Sequence, residues 1–259
     1  MITSNLWKSK PKPEYDLLRM SLRAYVPTGT KPSTWTHKDQ GPSEYTLIFD
    51  TETTSDAAQK LRFGIYQVRK SAELIEAGIF INSEMFAEWE IGIIRLFARS
   101  NNYRLISVEE FIENVFFGIG YELRATIIGF NLPFDISRLA IHHGISRGKS
   151  MKGGFSFQLS PHKYRPRIQV KHLSSTISLI RFTTRAGQIP GRGMRRRNLR
   201  PLPRPGYFVD VKTLAAALTS FRGTLAGLAK FLDTDHRKLE TAEHGGQVTD
   251  NYYHRLIPP

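Results

Sequence analysis

Apolar positions along this chain come in short runs whose period changes several times, the pattern of a mixed α/β protein. Residues 45–50, Tyr-Thr-Leu-Ile-Phe-Asp, form an apolar run ending in an acid and predict a buried central strand. Residues 61–68 and 74–81 are β-rich and closely spaced, which predicts three sequential antiparallel strands. Ser83 opens a predicted helix with Phe86, Trp89, Ile93, Leu96 and Phe97 at helical spacing. Ser107 and Glu110 stand in capping-box spacing ahead of a second helix that puts Phe111, Val115 and Ile119 on one face. Residues 125–130 predict another buried strand. Pro133 suits the first turn of the helix after it, which turns Ile136, Leu139 and Ala140 inward. Later, 207–211 reads as a strand, and 214–218 and 225–232 as helices. Three strands, a helical stretch and two strand–helix units make a mixed sheet flanked by helices.

Charge divides the chain unevenly. Its 259 residues carry 37 Lys and Arg against 23 Asp and Glu, a formal +14. Fifteen of those bases and no acid fall between Gly144 and Pro205; the other 197 residues hold 22 bases and 23 acids. A near-neutral body therefore carries one basic insert, and such a surface favours polyanions, nucleic acid first. Within the insert, 168–171 and 177–182 predict a hairpin around Ser174 and Ser175. Arg192, Arg195, Arg196, Arg197, Arg200 and Arg204 lie among Gly and Pro, the composition of an exposed loop able to contact phosphates. Residues 1–44 hold five of the fourteen Pro and read as an extended arm, leaving 45–259 as the main domain. The absence of Cys excludes disulfides, Cys-ligated zinc and thiol nucleophiles. With neither a signal-peptide core at the N-terminus nor an apolar run near ~18 residues, a soluble, cytoplasmic protein without membrane contact is expected.

The chemistry concentrates in two acidic motifs. Side chains alternate along a strand, so in Phe49-Asp50-Thr51-Glu52-Thr53 the two acids project to one side and Thr51 points away. Paired carboxylates repel unless a cation sits between them, which favours a divalent metal at a strand end, where α/β sheets place ligands. The second motif runs Gly129-Phe130-Asn131-Leu132-Pro133-Phe134-Asp135, with Leu139 beyond. Asp135, one turn into a helix, is there either to favour the helix dipole or to bind metal.

Taken together, the motifs resemble the DEDD 3′–5′ exonuclease superfamily, and in particular the proofreading domains of family-B DNA polymerases. Asp50 and Glu52 match the first family motif, D-x-E. Asn131, Asp135 and Leu139 match the second, and 208–214 is similar to the strand between the second and third. Such polymerases often carry a β-hairpin in this interval, where the insert lies. The resemblance covers about 45–253 and implies a ribonuclease H-like fold with two-metal hydrolysis of DNA. Asp50, Glu52 and Asp135 would hold two Mg²⁺ or Mn²⁺ ions, hard cations suited to oxygen ligands. It also implies roles around the metals for Asn131 and Asp210, the latter chiefly structural, and an approach of Thr53 to the terminal nucleotide. Single-stranded DNA 3′ ends and a polymerase domain are the implied partners.

The family's fourth acid, preceded by Tyr or His in a late helix, has no clear match. Gly246 to Tyr253 looks like the approach to that motif, but no acid follows Tyr252 or Tyr253, and Pro258 and Pro259 would break the helix. Either Asp250 substitutes or the chain stops short of its last ligand. A catalytically silent nucleic-acid-binding module is the alternative. A phosphatase reading of F-D-T-E-T-T fails because Glu52 stands where a second Asp belongs. The adjacent His142 and His143 read as surface.

Overall fold

The computed structural model describes residues 43–147, 149–183, 206–219 and 221–234. Three strands follow one another at the start: β1 (Tyr45–Thr53), β2 (Leu61–Lys70) and β3 (Glu73–Ile81). They pair antiparallel, as their sequence spacing predicts. Helix α1 (Glu88–Ser100) leads to β4 (Arg104–Ser107), which lies parallel to β3. Helix α2 begins with Val108–Glu110, where the Ser107 hydroxyl accepts the Glu110 N–H at 3.1 Å. It continues over Phe111–Glu122 as a wide π-helix, closing with the Leu123 N–H on the Gly118 carbonyl five residues back. Then come β5 (Thr126–Gly129), α3 (Leu132–Leu139), four strands of the insert, β6 (His142–Ile145), β7 (Phe155–Gln158), β8 (Ile168–His172) and β9 (Ser178–Phe182), and finally β10 (Tyr207–Asp210), α4 (Val211–Thr219) and α5 (Leu225–Phe231). The main sheet runs β10-β5-β1-β2-β3-β4, with β5 parallel to both β1 and β10. The protein is therefore α/β, antiparallel strands leading into parallel ones.

Alternation along β1 sends Leu47, Phe49 and Thr51 to one buried face. There Phe49 meets Phe111 and Phe116, and Phe80 stacks on Phe111 with ring centroids 3.9 Å apart. Ile127, Leu132, Ile136 and Leu139 complete this cluster and fasten β5 and α3 to β1. Each such side chain contributes about 1.5–3 kcal/mol on burial. Gly64 of β2 lets the layers close: a Cβ there would sit 2.6 Å from the Asp50 carbonyl and 2.1 Å from the Phe80 ring.

The predicted face of helix α1 holds in part: Phe86 and Phe97 pack against the cluster of Ile79, Ile81 and Ala98 as expected, and Trp89 and Leu96 do not. Its inward residues are Ile91, Ile94, Phe97 and the fully buried Ala98, while Trp89 is 60% exposed and Leu96 also faces out. The start sets the phase: Ser83–Met85 forms a separate short turn, Phe86 is extended, and the helix opens only at Glu88. The largest apolar side chains do not choose the face when a small residue, Ala98, lets the helix approach the sheet.

The insert is partly folded. β6 (His142–Ile145), β7 (Phe155–Gln158), β8 (Ile168–His172) and β9 (Ser178–Phe182) form a four-stranded antiparallel sheet. The predicted hairpin is β8–β9, with the Ser174 hydroxyl accepting the Ile177 N–H at its tip. Ile168, Val170 and Phe182 belong to the main core cluster. Arg165 ties this sheet to α2 through Glu113 at 2.9 Å and through Glu122. No helix among the described residues is long and apolar enough to cross a membrane.

Candidate active site at the carboxyl ends of three parallel strands

Strands β1, β5 and β10 run side by side in one direction, with Ile48 opposite Ile128 and Gly129 opposite Asp210. Their carboxyl ends carry Asp50 and Glu52, the turn into α3 with Asn131 and Asp135, and Asp210. Open α/β sheets gather ligands at this edge.

Asn131 makes the turn possible. It adopts the left-handed conformation (φ 69°, ψ 42°), which Asn tolerates better than most residues. Its side chain makes no capping bond. Instead the Asn131 and Leu132 N–H groups donate to Asp210 Oδ1 at 2.8 and 3.1 Å. The Thr213 N–H and hydroxyl donate to Asp210 Oδ2 at 3.2 and 2.6 Å. Asp210 is 7% exposed, and its carboxylate joins the starts of α3 and α4.

Asp135 is handled differently. It is 2% exposed, and its Oδ1 accepts the Thr51 N–H at 3.2 Å and the Thr51 hydroxyl at 2.6 Å. Pairing of β1 with β5 ends at Ile48 and Ile128, so the Thr51 amide lies past that ladder, where Asp135 takes it. Its Oδ2 is buried and has no hydrogen-bond partner among the described residues. Burial, opposed by the Thr51 donors and reinforced by the negative charge of Asp50, pushes the carboxyl up to about 7. A buried carboxylate oxygen without a donor is costly unless a proton or a cation meets it.

Asp50 and Glu52 are exposed and share the side of β1 opposite Thr51. Thr53, half-buried, ends the strand. The structure thus fastens Asp135 to β1 between the two acids and within reach of the Asp50 charge, without gathering all three into one cage. Among the described residues, no group of three His, Asp or Glu is placed to hold a metal ion. The residues fit a cation in part: one orphaned buried oxygen on Asp135 and a neighbouring carboxylate, the hard donors Mg²⁺ or Mn²⁺ takes. Asp250, Arg192, Arg195, Arg196, Arg197 and Arg200 lie outside the described residues, as does the arm up to residue 42.

Sequence reasoning missed two contributors. Thr51, expected only to point away from the acids, is the anchor of Asp135. The signal was its parity with Leu47 and Phe49, since a hydroxyl at an inward position needs a partner. Arg138 of α3 donates to the Gln59 carbonyl at 3.1 Å and lies 4.8 Å over the Phe134 ring, holding the loop after β1 against the helix. No protein-family model matches the chain, and no curated protein matches it.

Proposed function

We propose that this protein is a metal-dependent 3′–5′ exonuclease that hydrolyses DNA phosphodiester bonds, on a ribonuclease H-like fold. The observation that carries the reading is Asp135: buried, hydrogen-bonded to β1 between Asp50 and Glu52, with one oxygen left for a cation. The strand order β4-β3-β2-β1-β5-β10, antiparallel from β3 to β1 and parallel from β1 through β5 to β10, supports the reading of the fold. Asp50, Glu52 and Asp135 would hold two Mg²⁺ or Mn²⁺ ions, which activate water and stabilise the leaving 3′ oxygen. Thr51 holds Asp135 by two donors, and Asp210 holds the α3 start that aims it. A polymerase domain as partner and a cytoplasmic setting belong to the same reading.

A second reading, a nucleic-acid-binding module without turnover, draws on the placement of Asp50 and Glu52 across the strand from the Thr51 anchor. A 5′-labelled single-stranded DNA separates the two. The exonuclease shortens it stepwise with Mg²⁺ or Mn²⁺, and Asp50→Ala abolishes the ladder. Persistence of the ladder in Asp50→Ala overturns the metal-site assignment. Salt-sensitive binding that leaves the DNA intact selects the second reading.

A further inference from the structure

The β6–β9 sheet presents two unlike faces. One carries Ile168, Val170 and Phe182 into the main core. The other holds a lateral row in which Gly144 faces Ser156, Ser156 faces Gln169 and Gln169 faces Arg181. Strand alternation adds Lys171 to the same face. Arg167, just before β8, lies across this row. Its Nε donates to the Ser156 hydroxyl at 2.9 Å, its Nη1 to Gln158 Oε1 at 3.0 Å and its Nη2 to the Ser156 carbonyl at 2.7 Å. Arg181 donates Nε to Gln169 Oε1 at 2.9 Å, and Gln169 is itself oriented by donating Nε2 to the Arg147 carbonyl at 3.0 Å.

Among the described residues, the partners of these two arginines are all neutral. Arg62 meets Glu90, Arg104 meets Glu76 and Glu110, and Arg165 meets Glu113 and Glu122, whereas Arg69 and Arg138, like Arg167 and Arg181, meet neutral acceptors. Hydroxyl, amide and carbonyl acceptors orient a guanidinium without cancelling its charge, and no acid occurs between Gly144 and Pro205. On Arg181, an exposed side chain, Gln169 engages the Nε edge, and the terminal amino groups have no hydrogen-bond acceptor among the described residues. A fixed, uncompensated guanidinium matches a phosphate oxygen pair and loses little entropy on binding it.

We propose that this face of the β6–β9 sheet docks the phosphate backbone of nucleic acid, with Arg181 and Arg167 as its contacts. The inference rests on the reading of the substrate as DNA and extends it to a surface separate from the acids. Ser156 and Gln169 are buried and hold the guanidinium groups in place, so Arg181, exposed, and Arg167, half-buried, are the members of the row that reach a strand's phosphates. Binding of labelled single-stranded DNA, followed by fluorescence anisotropy in EDTA across a salt series, tests it without hydrolysis. Arg181→Gln, an exposed change that removes one hydrogen bond, weakens binding about threefold or more. It also lowers the slope of log affinity against log salt by about 0.7, the share of one phosphate contact on a single strand. Arg167→Gln together with Arg181→Gln about doubles the slope change, and Arg181→Lys restores most of it. A melting temperature for Arg181→Gln matching the wild type shows that the sheet is intact. Unchanged affinity and slope in Arg181→Gln overturn the proposal, as does loss of binding to phosphatidylserine vesicles with DNA binding unaltered. A chain that cuts DNA but is indifferent to Arg181 defeats this inference alone. One that binds through Arg181 and never cuts defeats only the exonuclease.

Discussion

Asp135 and Asp210 stand at neighbouring strand ends, both buried, and meet opposite fates. Asp210 receives four donors, two on each oxygen, from the backbone and side chains that start α3 and α4. Asp135 receives two, both from Thr51 and both on one oxygen. A saturated carboxylate has nothing left for a ligand; it welds helix starts to the sheet. A half-satisfied one holds back binding capacity, and the fold bears the cost of burying it. Asp210 is thereby part of the architecture, while Asp135 keeps a buried oxygen with no hydrogen-bond partner among the described residues, although in sequence each lies at or just beyond a short apolar strand.

The largest break in this contrast comes from Asp210→Ala. Several buried N–H and O–H groups lose their acceptor at about 1–3 kcal/mol each, so denaturant unfolding shows a loss of about 4 kcal/mol or more. A loss below about 1 kcal/mol would put Asp210 outside the architecture.

The next effect is in pH. The folded-state value of Asp135, about 7, lies above the ordinary carboxyl value of 3.8. The native state therefore binds this proton more tightly than the unfolded chain does. Metal-free protein accordingly loses stability as pH rises from about 4 to about 7 and levels off above, by up to about 4 kcal/mol. Unfolding midpoints in EDTA across that window measure the fall, and Asp135→Asn flattens it. Mg²⁺ added at pH 8 restores stability to the wild type and not to Asp135→Asn, because a ligand stabilises only the state that binds it.

The smallest test sets the two threonines against each other. Thr213→Val and Thr51→Val each remove one hydroxyl donor at about 1–2 kcal/mol. Thr51→Val also moves the fall in stability to higher pH, since a donor that favoured the charged carboxylate is gone. Thr213→Val leaves that curve in place. Equal pH curves in the two variants would erase the distinction between the acids.

Much of the fold was legible because local pattern and burial agree. The runs of β1 to β3 alternate or stay apolar as buried strands must, and Ser107 caps α2 as its spacing predicts. The hairpin around Ser174 formed where two β-rich runs flank Ser-rich turn residues. The α1 face was legible only at Phe86 and Phe97, because helical periodicity offers several faces and packing against Ile79 and Ile81 chose the one with Ala98. Strands β6 and β7 escaped for a related reason: they are short, and their pairing with β8 is a nonlocal decision.

At the site, sequence alone determined which acids were available and where they fall in chain order. Asp50, Glu52 and Asp135 follow apolar strands, and that much is covalent fact. Tertiary structure decided what each does. Which carboxylate is filled depends on donors brought from residues as far apart as Thr51 and Asp135, or Asn131 and Asp210, when β5 settles between β1 and β10. Hydrogen-bond saturation and desolvation are properties of that assembled neighbourhood, and no single stretch of chain contains them.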